Sequence, residues 1–247
     1  MKHAYHKWYS PALGRDMELQ VVGHAGARVL VFPTSLGGYS EWTDRRMDRA
    51  GVLGEHLENG WIQLFCVHHV HEESWYGEHL HPGARAWRHL QYDRYLRDEV
   101  IPFSAGQNPS PFVIAVGASF GAYHAANFAL KRADLFPLAI CMSGVYDVSV
   151  VGWGERGDAV YFNNPVAYVQ HLGGDHLHWL RSHVSLVLVC GQGQWEDTTG
   201  ALESTKRFAS LLGDKGIRHE LDLWGHDVPH DWPSWRAQIA HHLARFV

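Results

Sequence analysis

The sequence predicts an α/β protein with a mostly parallel central sheet covered by helices on both faces. Two observations carry this. Apolar runs of five to seven residues, rich in Val, Leu and Ile, alternate with longer segments in which apolar residues recur at helical spacing. Strands read as near-continuous apolar runs when a parallel sheet is hidden on both faces. The 247 residues, 46% hydrophobic and 19% charged, suffice for one sizeable core. No internal repeat, linker or low-complexity tract divides the chain. Residues 1–247 are therefore read as a single domain with no large cap domain.

In chain order, residues 17–22 and 27–32 read as paired strands joined by the turn Gly23-His24-Ala25-Gly26. A helix is predicted over 46–58, closed by Asn59-Gly60, and a strand over 61–67. A loop rich in histidine and aromatics runs to Pro82. A long helix over 84–103 carries Leu90, Tyr92, Leu96 and Val100 at helical spacing. Strands follow at 112–116 and 138–142, with an alanine-rich helix between them. Residues 145–182 read as irregular, with a short helix at 165–172. A strand at 184–190, a helix at 201–212, a strand at 219–224 and a closing helix at 232–246 complete the chain.

The formal net charge is −5 and no lysine or arginine run is present, so nothing points to nucleic acid or to an anionic membrane. No apolar run approaches the roughly 20 residues of a membrane span. The N-terminus lacks the apolar segment of a secretory signal. Cys66, Cys141 and Cys190 lie in or at the end of strand-like runs. They read as reduced core thiols of a cytoplasmic protein.

The most informative motif is Gly117-Ala118-Ser119-Phe120-Gly121. It sits between an apolar strand and a small-residue helix, the context of a nucleophile elbow. Small flanking residues let strand and helix pass closely, and the turn exposes the Ser119 hydroxyl. The Phe120 amide at the helix start is a candidate oxyanion donor. A serine needs a histidine base, and the histidine an acid. On a parallel sheet these groups lie beyond the carboxyl ends of strands. The acid is expected after strand 184–190, where Glu196 and Asp197 are adjacent, with Asp147 an outside candidate. The base is expected after the last strand, where His226 and His230 compete. A second oxyanion donor is expected in Pro33-Thr34-Ser35-Leu36-Gly37-Gly38, at the Leu36 amide.

These residues give the chain a resemblance to the putative-esterase family of α/β-hydrolases, which includes feruloyl esterases, S-formylglutathione hydrolases and mycolyltransferases. The resemblance rests on the Gly-Ala-Ser-Phe-Gly elbow, on Ser143-Gly144 after the next strand, on the glycine-led acid loop, and on a terminal H-x-W-x-x-W. That last motif is His230, Trp232 and Trp235 here. The resemblance implies an α/β-hydrolase fold and His230 as the base. The spacing in mycolyltransferase-like members implies Asp197 as the acid, with Glu196 the alternative. It also implies the Leu36 and Phe120 amides as the oxyanion hole. The expected activity is hydrolysis of a small-molecule carboxylic ester through an acyl-enzyme on Ser119. Acyl transfer to another alcohol and a non-catalytic binding role are the alternatives.

Trp42, Trp75, Tyr76 and Trp195 are expected to wall a substrate pocket suited to aryl acyl groups or sugars. His68, His69, His71, Glu72, His79 and His81 offer zinc-type ligands. An extended strand end would split them between faces, however, and no H-E-x-x-H helix is present. No metal and no cofactor is therefore expected.

Overall fold

The structure is a computed structural model that describes residues 3–48, 51–150 and 157–247. One eight-stranded sheet forms its centre, in the order β1-β2-β4-β3-β5-β6-β7-β8. The first two strands, β1 (His3–Ser10) and β2 (Arg15–Val22), form an antiparallel hairpin at one edge. β2 also runs antiparallel to β4 (Ile62–Val67). From β4 onward the pairing is parallel, through β3 (Ala27–Phe32), β5 (Val113–Ala118), β6 (Leu138–Met142), β7 (Ser185–Cys190) and β8 (Arg218–Leu223). Two expectations need correction here. β2 and β3 do not pair, because β4 lies between them. The N-terminal segment is a strand that sequence reading passed over. Its exposure alternates along its length, with Tyr5 and Tyr9 facing solvent.

Between β3 and β4 lie two short helices, α1 (Glu41–Asp44) and α2 (Gly54–Glu58), rather than one helix over 46–58. Residues 49–50 of that expected helix fall outside the described residues. The long helix after β4 begins as α3 (Pro82–Tyr95), widens to a π turn at Leu96–Val100 and continues as α4 (Ile101–Gln107). Pro102 has no N–H for the carbonyl four residues back, and its ring would crowd that carbonyl. A wider turn relieves both problems. After β5 comes α5 (Phe120–Lys131). Within residues 145–182, the described residues form a 3-10 turn at Val148–Val150 and the helices α6 (Asp158–Tyr161), α7 (Pro165–Val169), where a short helix is expected, and α8 (Gly174–His183). Residues 151–156 of that segment lie outside the described residues. Two helices close the chain, α9 (Ala201–Asp214) before β8 and α10 (Trp232–Leu243) after it.

Alternate residues of each central strand feed opposite faces, as the strand period requires. Leu30, Phe32, Ala115, Cys141, Leu186 and Leu188 pack with Tyr92, Leu96, Ala122, Ala126, Phe208 and Leu212, from α3, the π turn, α5 and α9. Val29, Val31, Ile114, Val116, Ile140 and Val187 pack on the other face against Leu57 of α2 and Trp235, Ile239 and Leu243 of α10. Helices thus cover both faces, and the fold is that of an α/β-hydrolase. Among the described residues no helix is long and apolar enough to cross a membrane. Cys66, Cys141 and Cys190 are buried free thiols.

Candidate active site

Tight turns beyond the carboxyl ends of the parallel strands deliver the polar groups of one small site. After β5 the chain reverses at Ser119, which has φ 54° and ψ −123°. That left-handed backbone is strained for a residue with a Cβ. It persists because strand and helix are pressed together. A Cβ on Gly117 would lie 2.2 Å from the Gly121 backbone, and one on Gly121 would lie 2.5 Å from the Phe32 carbonyl oxygen. Neither glycine can carry a side chain without displacing main chain. Ser119 N–H is anchored to the Met142 carbonyl of β6 at 2.8 Å. Phe120 is the first residue of α5, so its N–H has no partner within the helix.

His230, on the loop between β8 and α10, reaches Ser119 from 111 residues away, with Nε2 3.1 Å from Oγ. Its other nitrogen, Nδ1, is 2.9 Å from Glu196 Oε2. An ionised carboxylate only accepts, so Nδ1 carries the proton. Nε2 is then left as the acceptor facing the serine hydroxyl. The imidazole side chain is only 10% exposed and stands edge-on to Trp235, 5.0 Å between ring centroids.

Glu196 is fully buried. Oε1 accepts from the Ser143 hydroxyl at 2.6 Å, and Oε2 accepts from the Cys190 thiol at 3.4 Å as well as from His230. Ser143 in turn accepts from the Trp235 indole N–H at 3.1 Å. The loop before Glu196 is stitched to the histidine loop by backbone bonds, Gly193 N–H to Val228 O and His230 N–H to Gln194 O, both 2.9 Å.

The expected acid, Asp197, is corrected by this geometry. Asp197 is exposed and its Oδ1 accepts from the Thr198 amide at 2.8 Å. Trp195, at φ 70°, turns the chain so that the residue just after it points inward and the next points out. The alternative, Glu196, is the carboxylate that meets the histidine. Asp147 serves neither purpose. Its Oδ1 accepts from Ser149 and Asn164, and these bonds hold its carboxyl below the usual carboxylate range although burial opposes them. His226 is exposed on the loop.

The described non-glycine residues with left-handed backbone are Leu36, Arg46, Ser119, Ser143 and Trp195. Four of the five lie around this site, which is where stored strain concentrates in functional sites.

The Leu36 amide is also corrected. Its N–H donates to His71 Nδ1 at 3.1 Å and so is not free toward Ser119. His71 belongs to a buried histidine stack. It lies parallel to His69 at 4.0 Å and to His124 at 5.2 Å, with its Nε2 2.9 Å from His124 Nε2. Burial pushes His71, His89 and His124 well below the ordinary 6.5 and lowers His69 to about 4. The rings are neutral near pH 7 and act as donor–acceptor spacers behind the site. Of the other residues that offer zinc-type ligands, His79, His81 and Glu72 are exposed and His68 is half-buried. Among the described residues, the group with ligand atoms within 4.8 Å of one another is Asp222, His241 and His242. There Asp222 Oδ2 is already occupied by the Trp224 indole and His242.

A cavity of about 320 Å³ opens beside Ser119, lined by Ser35, Tyr76, Phe120, Val145, Asp147, Val148 and Thr199. Of the four aromatics expected to wall it, Tyr76 does so. Trp42 is buried in the core against α10, Trp75 is buried with its indole N–H on the Tyr123 hydroxyl, and Trp195 is half-exposed outside the cavity lining. Ser35, Val145, Val148 and Thr199 escaped sequence reading, since no local pattern marks a loop residue that faces a cavity. In the sequence, Ser143 stands out only as half of the Ser143-Gly144 pair.

Residues 66–246 match the family described as "Putative esterase". The chain belongs to this esterase family. Among solved structures it is similar to a ferulic acid esterase (TM-score 0.75, 16% identity, 98% of this chain and 96% of that one). It is also similar to an S-formylglutathione hydrolase from Agrobacterium tumefaciens (TM-score 0.75, 13% identity, 98% and 93%). A third is FphF, a fluorophosphonate-binding serine hydrolase of Staphylococcus aureus (TM-score 0.73, 15% identity, 99% and 97%). At these identities the likeness establishes the shared fold. No curated protein matches the chain.

Two outcomes follow from this arrangement. Glu196→Gln removes the ionised acceptor for His230 and should lower kcat for an ester by about 10³–10⁴-fold, whereas Asp197→Asn leaves it within twofold. Steady-state kinetics of the two variants checks this, and the reverse ranking would assign the acid to Asp197. The buried histidines also make stability pH-dependent. Below about pH 6.5 the unfolded chain binds protons that the folded rings refuse, so stability falls with falling pH, through about 4 for His69, with His71, His89 and His124 shifted in the same direction by burial. Thermal melts between pH 8 and pH 4.5 should show the midpoint dropping below pH 6.5. A flat or rising profile would contradict the neutral stack.

Proposed function

We propose that the protein is a serine esterase that hydrolyses a small-molecule carboxylic ester through an acyl-enzyme on Ser119. The observation that carries this is the continuous line of hydrogen bonds from Ser119 Oγ through both nitrogens of His230 to the buried Glu196. In the first step His230 Nε2 takes the Ser119 proton as Oγ attacks the ester carbonyl. The carbonyl oxygen becomes an oxyanion that the Phe120 amide faces at the start of α5. Glu196 stabilises the imidazolium without taking its proton. The tetrahedral intermediate collapses as His230 protonates the departing alcohol. Water, activated by the same imidazole, then releases the acid and restores Ser119.

The cavity's size and its Phe120, Val145 and Val148 walls favour an apolar acyl group of modest bulk. Of the four aromatics expected to form a platform for sugars or broad aryl groups, Tyr76 lines the cavity, beside Phe120. Metal chemistry has no role in this scheme, whose charged intermediates are met by donors and by His230. The three buried thiols support a cytoplasmic location.

Turnover of p-nitrophenyl acetate and labelling by a fluorophosphonate probe test the assignment. Ser119→Ala should abolish labelling and lower kcat by at least about 10³-fold, and His230→Ala should approach it, while His226→Ala stays near wild type. Equal rates for wild type and Ser119→Ala would refute the serine assignment.

A further inference from the structure

The oxyanion that forms during acyl transfer is held by preorganised hydrogen-bond donors aimed at the developing charge. The Phe120 amide supplies one. The loop expected to supply the other has its Leu36 N–H on His71 Nδ1. That bond is firmly held. His71 is buried, its ring plane is parallel to those of His69 and His124, and its Nε2 is hydrogen-bonded to His124 Nε2. The His71 main-chain N–H is itself anchored to His69 Nδ1 at 3.0 Å. With the Leu36 N–H donating to Nδ1, the ring proton of neutral His71 sits on Nε2 and is given to His124. Withdrawing the Leu36 amide would leave a buried ring nitrogen without a partner, which is costly.

The same cavity wall offers a different donor. Tyr76 lines the cavity together with Ser119 and Phe120. Its ring is fixed edge-on to Phe120 at 5.1 Å and lies 5.7 Å from His71. Its hydroxyl is 2.7 Å from Ser35 Oγ, and either oxygen can donate in that pair. When Ser35 donates to the phenol oxygen, the phenolic proton is left to point at a ligand. We propose that the Tyr76 hydroxyl is the second oxyanion donor, oriented by Ser35, and so a catalytic residue of the acyl-transfer step. This rests on the serine-esterase reading. No proton is transferred: Tyr76 keeps its O–H and donates a hydrogen bond as the carbonyl oxygen becomes charged. Burial raises the phenol above its usual range although the Ser35 bond opposes this, so the donor proton is retained at working pH.

Tyr76→Phe removes the donor and keeps the ring. With p-nitrophenyl acetate, kcat should fall about 10²-fold with KM within about threefold. Affinity for an alkyl boronic acid, whose serine adduct carries oxygen at the oxyanion position, should fall in parallel. Ser35→Ala keeps the phenol but loosens its orientation, and should lose less than tenfold in kcat. A Tyr76→Phe kcat within threefold of wild type, or unchanged boronate affinity, overturns the proposal. Those results leave the esterase reading standing, because that reading fails only if Ser119→Ala is as active as wild type. Should Tyr76→Phe fail to fold, a crystal structure of the wild-type boronate complex decides instead. A boronate oxygen within hydrogen-bond distance of the Tyr76 hydroxyl supports the role. One paired with the Leu36 amide, freed from His71, refutes it.

Discussion

Glu196 has no solvent exposure, and a buried carboxylate is costly unless its oxygens find donors. Three side chains from separate parts of the chain meet that demand: Ser143 beyond β6, Cys190 at the end of β7, and His230 beyond β8. Only in register do these strands bring their ends together, so burying one charge constrains the order of the sheet's second half. Trp235 adds the next layer, donating to Ser143 while its ring backs His230. One aromatic thus fixes both the acid's partner and the base, which gives the terminal H-x-W-x-x-W a physical meaning.

The site also concentrates strain. Ser119, Ser143, Trp195 and Leu36 all hold left-handed backbone, a conformation that costs of order 1–3 kcal/mol each where a side chain is present. Each turn aims a group that an ordinary loop would leave in solvent. Ser119 presents its hydroxyl, Ser143 turns to the carboxylate, and Trp195 sends the following glutamate inward. The glycines around them serve close approach. A Cβ on Gly191 would fall 2.1 Å from the Val228 carbonyl oxygen, so the acid loop and the histidine loop can touch only with glycine there.

Local features were legible in the sequence, and features made by distant segments were not. The elbow, its strand and its helix announce themselves within twenty residues, because strand period, small residues and helix start are all local. His230 was legible through the spacing of its tryptophans. Glu196 and Asp197 were inseparable, since the choice depends on the Trp195 backbone and on three partners 6 to 53 residues away in the chain. The Leu36 amide belongs to a loop whose Ser35 lines the cavity. Its engagement by His71, 35 residues on, has no sequence signature. β1 was missed because its polar and aromatic residues alternate at a solvated edge, where no apolar run marks a strand. The placement of β4 between β2 and β3 is a topological fact that no local pattern encodes. The histidine-rich stretch offers zinc-type ligands by composition alone, while the structure shows its buried rings hydrogen-bonding to one another and to the Leu36 loop.

The central claim is that Ser119, His230 and Glu196 act as one hydrogen-bonded unit. A crystal structure of the protein after reaction with a fluorophosphonate tests it most directly. The account predicts phosphorus bonded to Ser119 Oγ, His230 still bridging toward Glu196, and Asp197 still facing solvent. An unmodified Ser119, or an adduct beside a His230 that has turned to Asp197, would contradict it.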